Sequence, residues 1–321
     1  MLKRLLLPAL LATTTAALAE VPKVATDIAP VQGLVAAVMG DLGQPALVVP
    51  RGASPHDHAL RPSEAGHLQG ADLVVWIGPD LMPNLVKPLE TLAGGALIMT
   101  LADLPGSHLL PSRTEAVFGE VEDHGHDDEH GDEHEAEDHG AEHDHGDAAH
   151  DPHLWLDPDN ALLWLDAIAT QLSKLDPDNA DTYAANAAAA KAAVTAAVGQ
   201  AQARLSPVHE TPYLSLHDAY QYFEEVFDLH PLGAISLSDA TTPGPARLAS
   251  LRAALMQRGV TCVLAEPGGP EGFLQALGDT ASLQVSEVDP LGAALPDGAG
   301  FYPALITDTA DRIADCLTPA S

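Results

Sequence analysis

Short continuous apolar runs alternate with amphipathic stretches through the first hundred residues. Residues 24–26, 46–49, 73–77 and 97–101 are predicted strands, most of them bounded by Gly, Pro or Asp. Continuous rather than alternating apolar character predicts a parallel sheet buried on both faces. Residues 28–39 carry an amphipathic helical pattern between the first two strands, which is βαβ order. After Pro207 the alternation returns, with predicted strands at 213–216, 234–237, 261–265 and 283–288. Residues 245–258, 272–279 and 303–317 are the predicted helices of this second half.

Between the halves the period changes. Asp157-Pro158 is a helix start, a capping carboxylate followed by proline in the first turn. Leu162, Leu165, Ile168 and Leu172 then follow at helical spacing. Asp176-Pro177 repeats the start signal, and thirteen Ala fall within residues 180–203, interrupted by the single Gly199. High helix propensity predicts one continuous helix there, roughly 40 Å long at about 1.5 Å per residue. The expected organisation is an N-terminal α/β lobe over 20–175, a rigid linking helix over 176–206 and a C-terminal α/β lobe over 207–321.

Two segments stand outside this grammar. Residues 1–19 have a basic start at Lys3 and Arg4, an apolar stretch over 5–11 and Ala17-Leu18-Ala19 at the end. That order is a cleaved signal peptide, too short to span a bilayer, and it predicts export. Residues 120–151 hold fifteen Asp or Glu, eight His and no Lys or Arg. So little apolar surface cannot offset chain entropy, so a disordered loop is expected. Its histidines are His124, His126, His130, His134, His139, His143, His145 and His150.

Charge narrows the function. With 14 Lys+Arg against 46 Asp+Glu, the formal net charge of −32 argues against nucleic acid and anionic membrane surfaces as partners. Sixteen His in so acidic a chain point to cations. Two Cys in an oxidising compartment predict a Cys262–Cys316 bridge.

Three polar residues fall at predicted strand ends: His56 after the second strand, His217 after the fifth and Asp289 after the last. Ligands of open α/β sheets bind outside the carboxyl ends of strands. His153 stands at the exit of the acidic loop, just before a helix. A lone histidine at such a place is more often a hydrogen-bonded loop residue than a ligand. No H-E-x-x-H or C-x-x-C spacing is present.

These residues also carry a family resemblance. Gly52-Ala53-Ser54-Pro55-His56-Asp57-His58, His153-Leu154-Trp155-Leu156-Asp157-Pro158 and Leu216-His217-Asp218-Ala219-Tyr220 resemble, in order, three ligand motifs of the periplasmic zinc-binding proteins of bacterial ABC importers, the ZnuA type. Residues 71–78, 261–267 and 288–292 resemble later landmarks, and an acidic His-rich insert before the second ligand is a family habit. The resemblance implies a cluster A-I fold of two lobes and a long helix, with Zn²⁺ held between the lobes by His56, His153 and His217. It further implies a monomer that delivers zinc to an inner-membrane ABC permease. Pro55 replaces the glutamate that some relatives carry before the first ligand, and His58 replaces a frequent tyrosine. Asp289 matches a carboxylate that completes the site in manganese- and iron-binding cousins. It is read equally as a ligand, as a hydrogen-bond partner of a ligand histidine, or as a helix cap.

Other functions compete. A zinc hydrolase would need a placed base, for which Asp218 and Glu266 are the candidates, and neither sits in a catalytic spacing motif, so no enzyme is expected. A zinc buffer would use the insert alone and leave two lobes without a task. Manganese or iron within the same family is disfavoured because three imidazoles are too nitrogen-rich for manganese.

Overall fold

The structure, a computed structural model, describes residues 20–119, 150–237, 243–267 and 283–318. The expected signal peptide, all but the last two residues of the acidic loop, and the helix expected at 272–279 lie outside the described residues.

The first half folds as β1 (Val24–Thr26), α1 (Ala29–Met39), β2 (Ala46–Leu47), α2 (Pro62–Gln69), β3 (Leu73–Trp76), α3 (Val86–Leu92) and β4 (Leu97–Thr100). Its strands form a sheet of order β2-β1-β3-β4, parallel throughout. Two helices follow, α4 (Pro158–Leu175) and α5 (Ala180–Leu205). The second half runs β5 (Tyr213–His217), α6 (Gln221–Phe227), β6 (Pro231–Ser236), α7 (Pro245–Arg258), β7 (Cys262–Ala265), β8 (Gln284–Glu287) and α8 (Phe301–Leu317). Its sheet has the matching order β6-β5-β7-β8, again parallel.

Both sheets therefore reverse strand order at one place, between β1 and β3 and between β5 and β7. Such a crevice is where a parallel α/β sheet receives ligands. In the first sheet a protein group fills it. Asp27, fully buried just past β1, accepts the N–H of Ile28 at 2.8 Å and the N–H of Ile77, just past β3, at 2.7 Å. In the second sheet the crevice carries His217.

The expected burial holds for the central strands and for β6, whose outer side meets Val117 through a bridge to Gly233, and fails at the edge strands β4 and β8. β1, β3 and β5 are buried along their length. β4 leaves Leu97 47% and Ile98 42% exposed, and β8 leaves Val285 49% exposed. A continuous apolar run cannot reveal that a strand has only one neighbour. β2 and β6 also differ from expectation. β2 pairs over two residues only, and β6 begins three residues earlier, at Pro231.

α5 is more than a strut. Tyr183, Ala187, Val194, Ala197, Ala201 and Leu205 form a buried stripe, and it packs against α1, α4 and α8. Alanine lets these helices approach closely. Asn186 donates to the Val38 carbonyl at 3.0 Å, and Arg204 donates to Asp311 at 3.1 Å. One hydrophobic core thus runs from the first sheet through the helices to Phe301, Ile306 and Ile313 of α8. Among the described residues, no helix is long and apolar enough to cross a membrane. Cys262 on β7 is disulfide-bonded to Cys316 on α8, as expected.

Candidate metal site

His56, His153 and His217 come together, and one ligand nitrogen from each lies within 4.8 Å of the other two. Their ring centroids are 4.9 Å apart for His153 and His217, 5.3 Å for His56 and His153, and 5.5 Å for His56 and His217. All three pairs meet edge to face, with interplanar angles, in the same order, of 71°, 63° and 77°. Neutral imidazoles facing a common point are a nitrogen-donor set suited to zinc, copper, nickel or iron rather than to magnesium or calcium.

Each histidine is delivered by a different device. His56 ends a short loop after β2. That loop is turned by Gly52 at φ 76° and pinned by an Ala53 N–H to Pro50 carbonyl bond of 3.1 Å. The Ser54 hydroxyl accepts the His56 N–H at 3.3 Å. His58 points away into the first lobe, with Nε2 2.9 Å from Glu64 Oε2, the carboxylate that also accepts the Arg61 N–H at 2.7 Å in the capping box of α2. His153 opens a single 3-10 turn, Leu154–Leu156, before α4. Asp157 ends that turn and caps α4, accepting the Asp159 N–H at 2.8 Å. His217 is the last residue of β5 and pairs with Ser236, rather than following the strand.

Two carboxylates orient two of the rings. Asp151 Oδ1 accepts the His153 N–H at 2.9 Å and lies 2.7 Å from His153 Nδ1. Glu266 Oε1, just past β7, lies 2.7 Å from His217 Nδ1. A carboxylate on one ring nitrogen fixes the tautomer and makes the other nitrogen the metal donor. Asp151 was expected to be the last residue of a disordered loop. It is instead 3% exposed and tied by its N–H to the Leu110 carbonyl at 2.8 Å. The D-x-H spacing was its only sequence signal.

Two further acidic groups near the site, Asp218 and Glu224, share one cation. Arg113 reaches Glu224 at 2.5 Å and Asp218 at 3.6 Å, and lies over the Phe118 ring at 4.1 Å. Tyr213 donates to the other Glu224 oxygen at 2.7 Å. Burial raises Asp151 and Asp218 to about 7, against the pull of the His153 N–H on Asp151 and of the Arg113 cation on both. Asp218 and Glu266, the candidate bases of a hydrolase, are thus engaged with Arg113 and His217.

Asp289 stands outside the histidine cluster. Its two oxygens accept the N–H groups of Leu291 at 2.9 Å and Ala293 at 2.6 Å. Of the insert histidines, only His150 is described. It forms an isolated antiparallel bridge with Pro111, and its Nδ1 lies 3.8 Å from Asp80. The other seven, His124 to His145, lie outside the described residues.

Two α/β lobes packed on a long helix, with three imidazoles converging in the cleft, define a metal-binding protein of the solute-binding class. The chain belongs to the ZnuA family: residues 24–316 match the model described as zinc-uptake complex component A, periplasmic. It is 41% identical over 306 residues to the high-affinity zinc uptake system protein ZnuA of Paracoccus denitrificans, covering 93% of each chain. Its identity to the protein of the same name from Brucella suis is 36%, covering 92% of this chain and 91% of the relative. A crystal structure of ZnuA has the same fold, with a TM-score of 0.72 at 22% identity over 92% of this chain and 99% of that one. A Mn-bound periplasmic metal-binding protein from candidatus liberibacter asiaticus also superposes, at a TM-score of 0.70 and 18% identity over 92% of this chain and all of that one. The fold alone therefore does not select the metal; the donor set must.

Proposed function

We propose that this protein captures Zn²⁺ in the periplasm and delivers it, as a monomer, to an inner-membrane ABC permease. The reading rests on one observation: three converging imidazoles, two of them braced by carboxylates on Nδ1. His56, His153 and His217 are the ligands, with zinc about 2.0–2.1 Å from each nitrogen. A tetrahedral ion needs ligand nitrogens roughly 3.4 Å apart, so nitrogens within 4.8 Å of one another need only a small contraction. Asp289 shapes a nearby turn, and the fourth position belongs to water or to a small shift of a neighbouring carboxylate. Export follows from residues 1–19, and the mature chain begins near Glu20.

Three protein ligands and an open position suit a carrier, because one exchangeable site lets the ion enter and leave. Nitrogen donors favour zinc over manganese. The relatives' shared description as high-affinity zinc uptake proteins supports the same choice. Elemental analysis, after dialysis, of the purified mature protein lacking residues 123–149 tests the reading. One zinc retained per chain against an equimolar mixture with manganese is the expected result. Retention of manganese, or of no metal, would overturn it.

A further inference from the structure

Arg51, five residues before His56, reaches out of the first lobe into the turn that follows β8. Its Nη1 donates to the carbonyls of Gly292 and Ala293, each at 3.2 Å, and of Leu295 at 2.9 Å. Its Nη2 pairs with Asp297, and the guanidinium lies over the Phe301 ring at 4.9 Å. Three carbonyls turned to one point make a cradle for a cation, and the guanidinium fills it. Gly292, at φ 63°, permits that turn; a Cβ there would come within 2.9 Å of Leu295 and 3.0 Å of Phe301. Asp289 builds the same turn by accepting the N–H groups of Leu291 and Ala293. The turn is anchored in addition to both other histidine-bearing elements. The Trp155 indole, two residues after His153, donates to the Pro290 carbonyl at 2.7 Å, and the Tyr220 hydroxyl, three residues after His217, donates to the Val288 carbonyl at 2.9 Å.

We propose that Arg51 is a positioning residue for zinc: it locks the His56 loop to the 288–297 turn, and so holds the first ligand in register with His153 and His217. This rests on the zinc site proposed above. A planar fork fits because the carbonyls and Asp297 are met by two separate nitrogens, Nη1 and Nη2, while the flat guanidinium also lies over Phe301, which one ammonium nitrogen cannot reproduce. Asp289 acts in the same device as the organiser of the turn, through its hydrogen bonds rather than through the metal.

The test is zinc release from the full mature protein into excess chromogenic chelator, well below the melting temperature. The core site is the slow phase that His217→Ala abolishes. Arg51→Ala should speed that phase about tenfold or more, the scale of loss for groups that orient metal ligands. Arg51→Lys should fall between, and millimolar guanidinium should slow release again in Arg51→Ala. Arg204→Ala, which cuts the α5–α8 ion pairs far from His56, controls for general loosening and should leave release unchanged. Release from Arg51→Ala within about twofold of wild type, or equal acceleration by Arg204→Ala, would overturn the proposal. If Arg51→Ala does not fold, Arg51→Lys decides by the same criterion. Absence of any slow phase lost in His217→Ala would instead overturn the site itself.

Discussion

His217 Nδ1 and Glu266 Oε1 lie 2.7 Å apart, although 49 residues separate them in the chain. The contact spans the crevice between β5 and β7, where the second sheet reverses its strand order. The crevice therefore presents an imidazole whose ring is already oriented.

The pair predicts graded losses. His217→Ala removes a ligand and should weaken core zinc affinity by more than the roughly 10–100-fold typical of losing an orienting partner. Glu266→Gln keeps a hydrogen-bond acceptor but removes the charge, and should cost about tenfold or less. Chelator competition measures both. A larger loss in Glu266→Gln than in His217→Ala would mean that the glutamate itself holds the metal.

How much of this was legible in the sequence differs by residue. His217 and His56 announce themselves, since one closes an apolar strand, the other follows one, and each sits in a family-like motif. Asp151 does not, because a buried carboxylate looks no different in sequence from the fourteen others in the same acidic run. Arg51 and the Gly292 carbonyl are 241 residues apart, and no local periodicity links them. The central strands were readable because burial on both faces leaves a continuous apolar run. The edge strand β4 carries a similar run but is half exposed, since pairing on one side only is a property of topology, whereas β8 already shows polar residues at Gln284, Ser286 and Glu287. Asp289 is open to three readings in the sequence; in the fold its oxygens accept the N–H groups of Leu291 and Ala293, 2 and 4 residues on.

Asp27 predicts a pH dependence unrelated to metal. Burial raises it from 3.8 to about 7, against the pull of the N–H groups of Ile77 and Ile28. Between those values the folded state holds a proton that the unfolded chain has lost. The contribution to stability is thus full below the unfolded value and is lost as pH rises towards 7. Asp27→Asn cannot ionise, but it accepts only one of the two N–H groups, at a cost of about 1–3 kcal/mol. Metal-free melting curves should show the variant clearly less stable than wild type at pH 5, with the gap narrowing by pH 8. A gap that widens with pH would contradict the assignment.

The disulfide should matter for stability and not for the ligands. Cys262–Cys316 closes a span of 54 residues and ties α8 to a central strand. Such a loop is worth roughly 2–4 kcal/mol. Cys262→Ser with Cys316→Ser should lower the melting temperature, yet zinc stoichiometry at the core should stay at one. Loss of that zinc in a folded variant would show that α8 also holds the site in shape.

The acidic insert should collect metal without being needed for the core. Eight histidines supply nitrogen donors, and fifteen carboxylates raise the local cation concentration. Each ion bound there must offset the entropy of ordering the chain around it, so these sites should be weaker and less selective than the core. Copper, nickel and cobalt should bind them as well. The insert ends two residues before His153, beside the cleft. Deleting residues 123–149 should therefore lower total stoichiometry, leave one tight zinc and slow loading when zinc is scarce. Because Asp151 and its bond to His153 survive this deletion, the orienting carboxylate is not confounded with the collecting segment. Stopped-flow loading at limiting zinc, paired with equilibrium competition, separates the two effects. If the tight site disappeared with the insert, the histidines at 124–145 would belong to the primary site, and the division between collection and capture would be wrong.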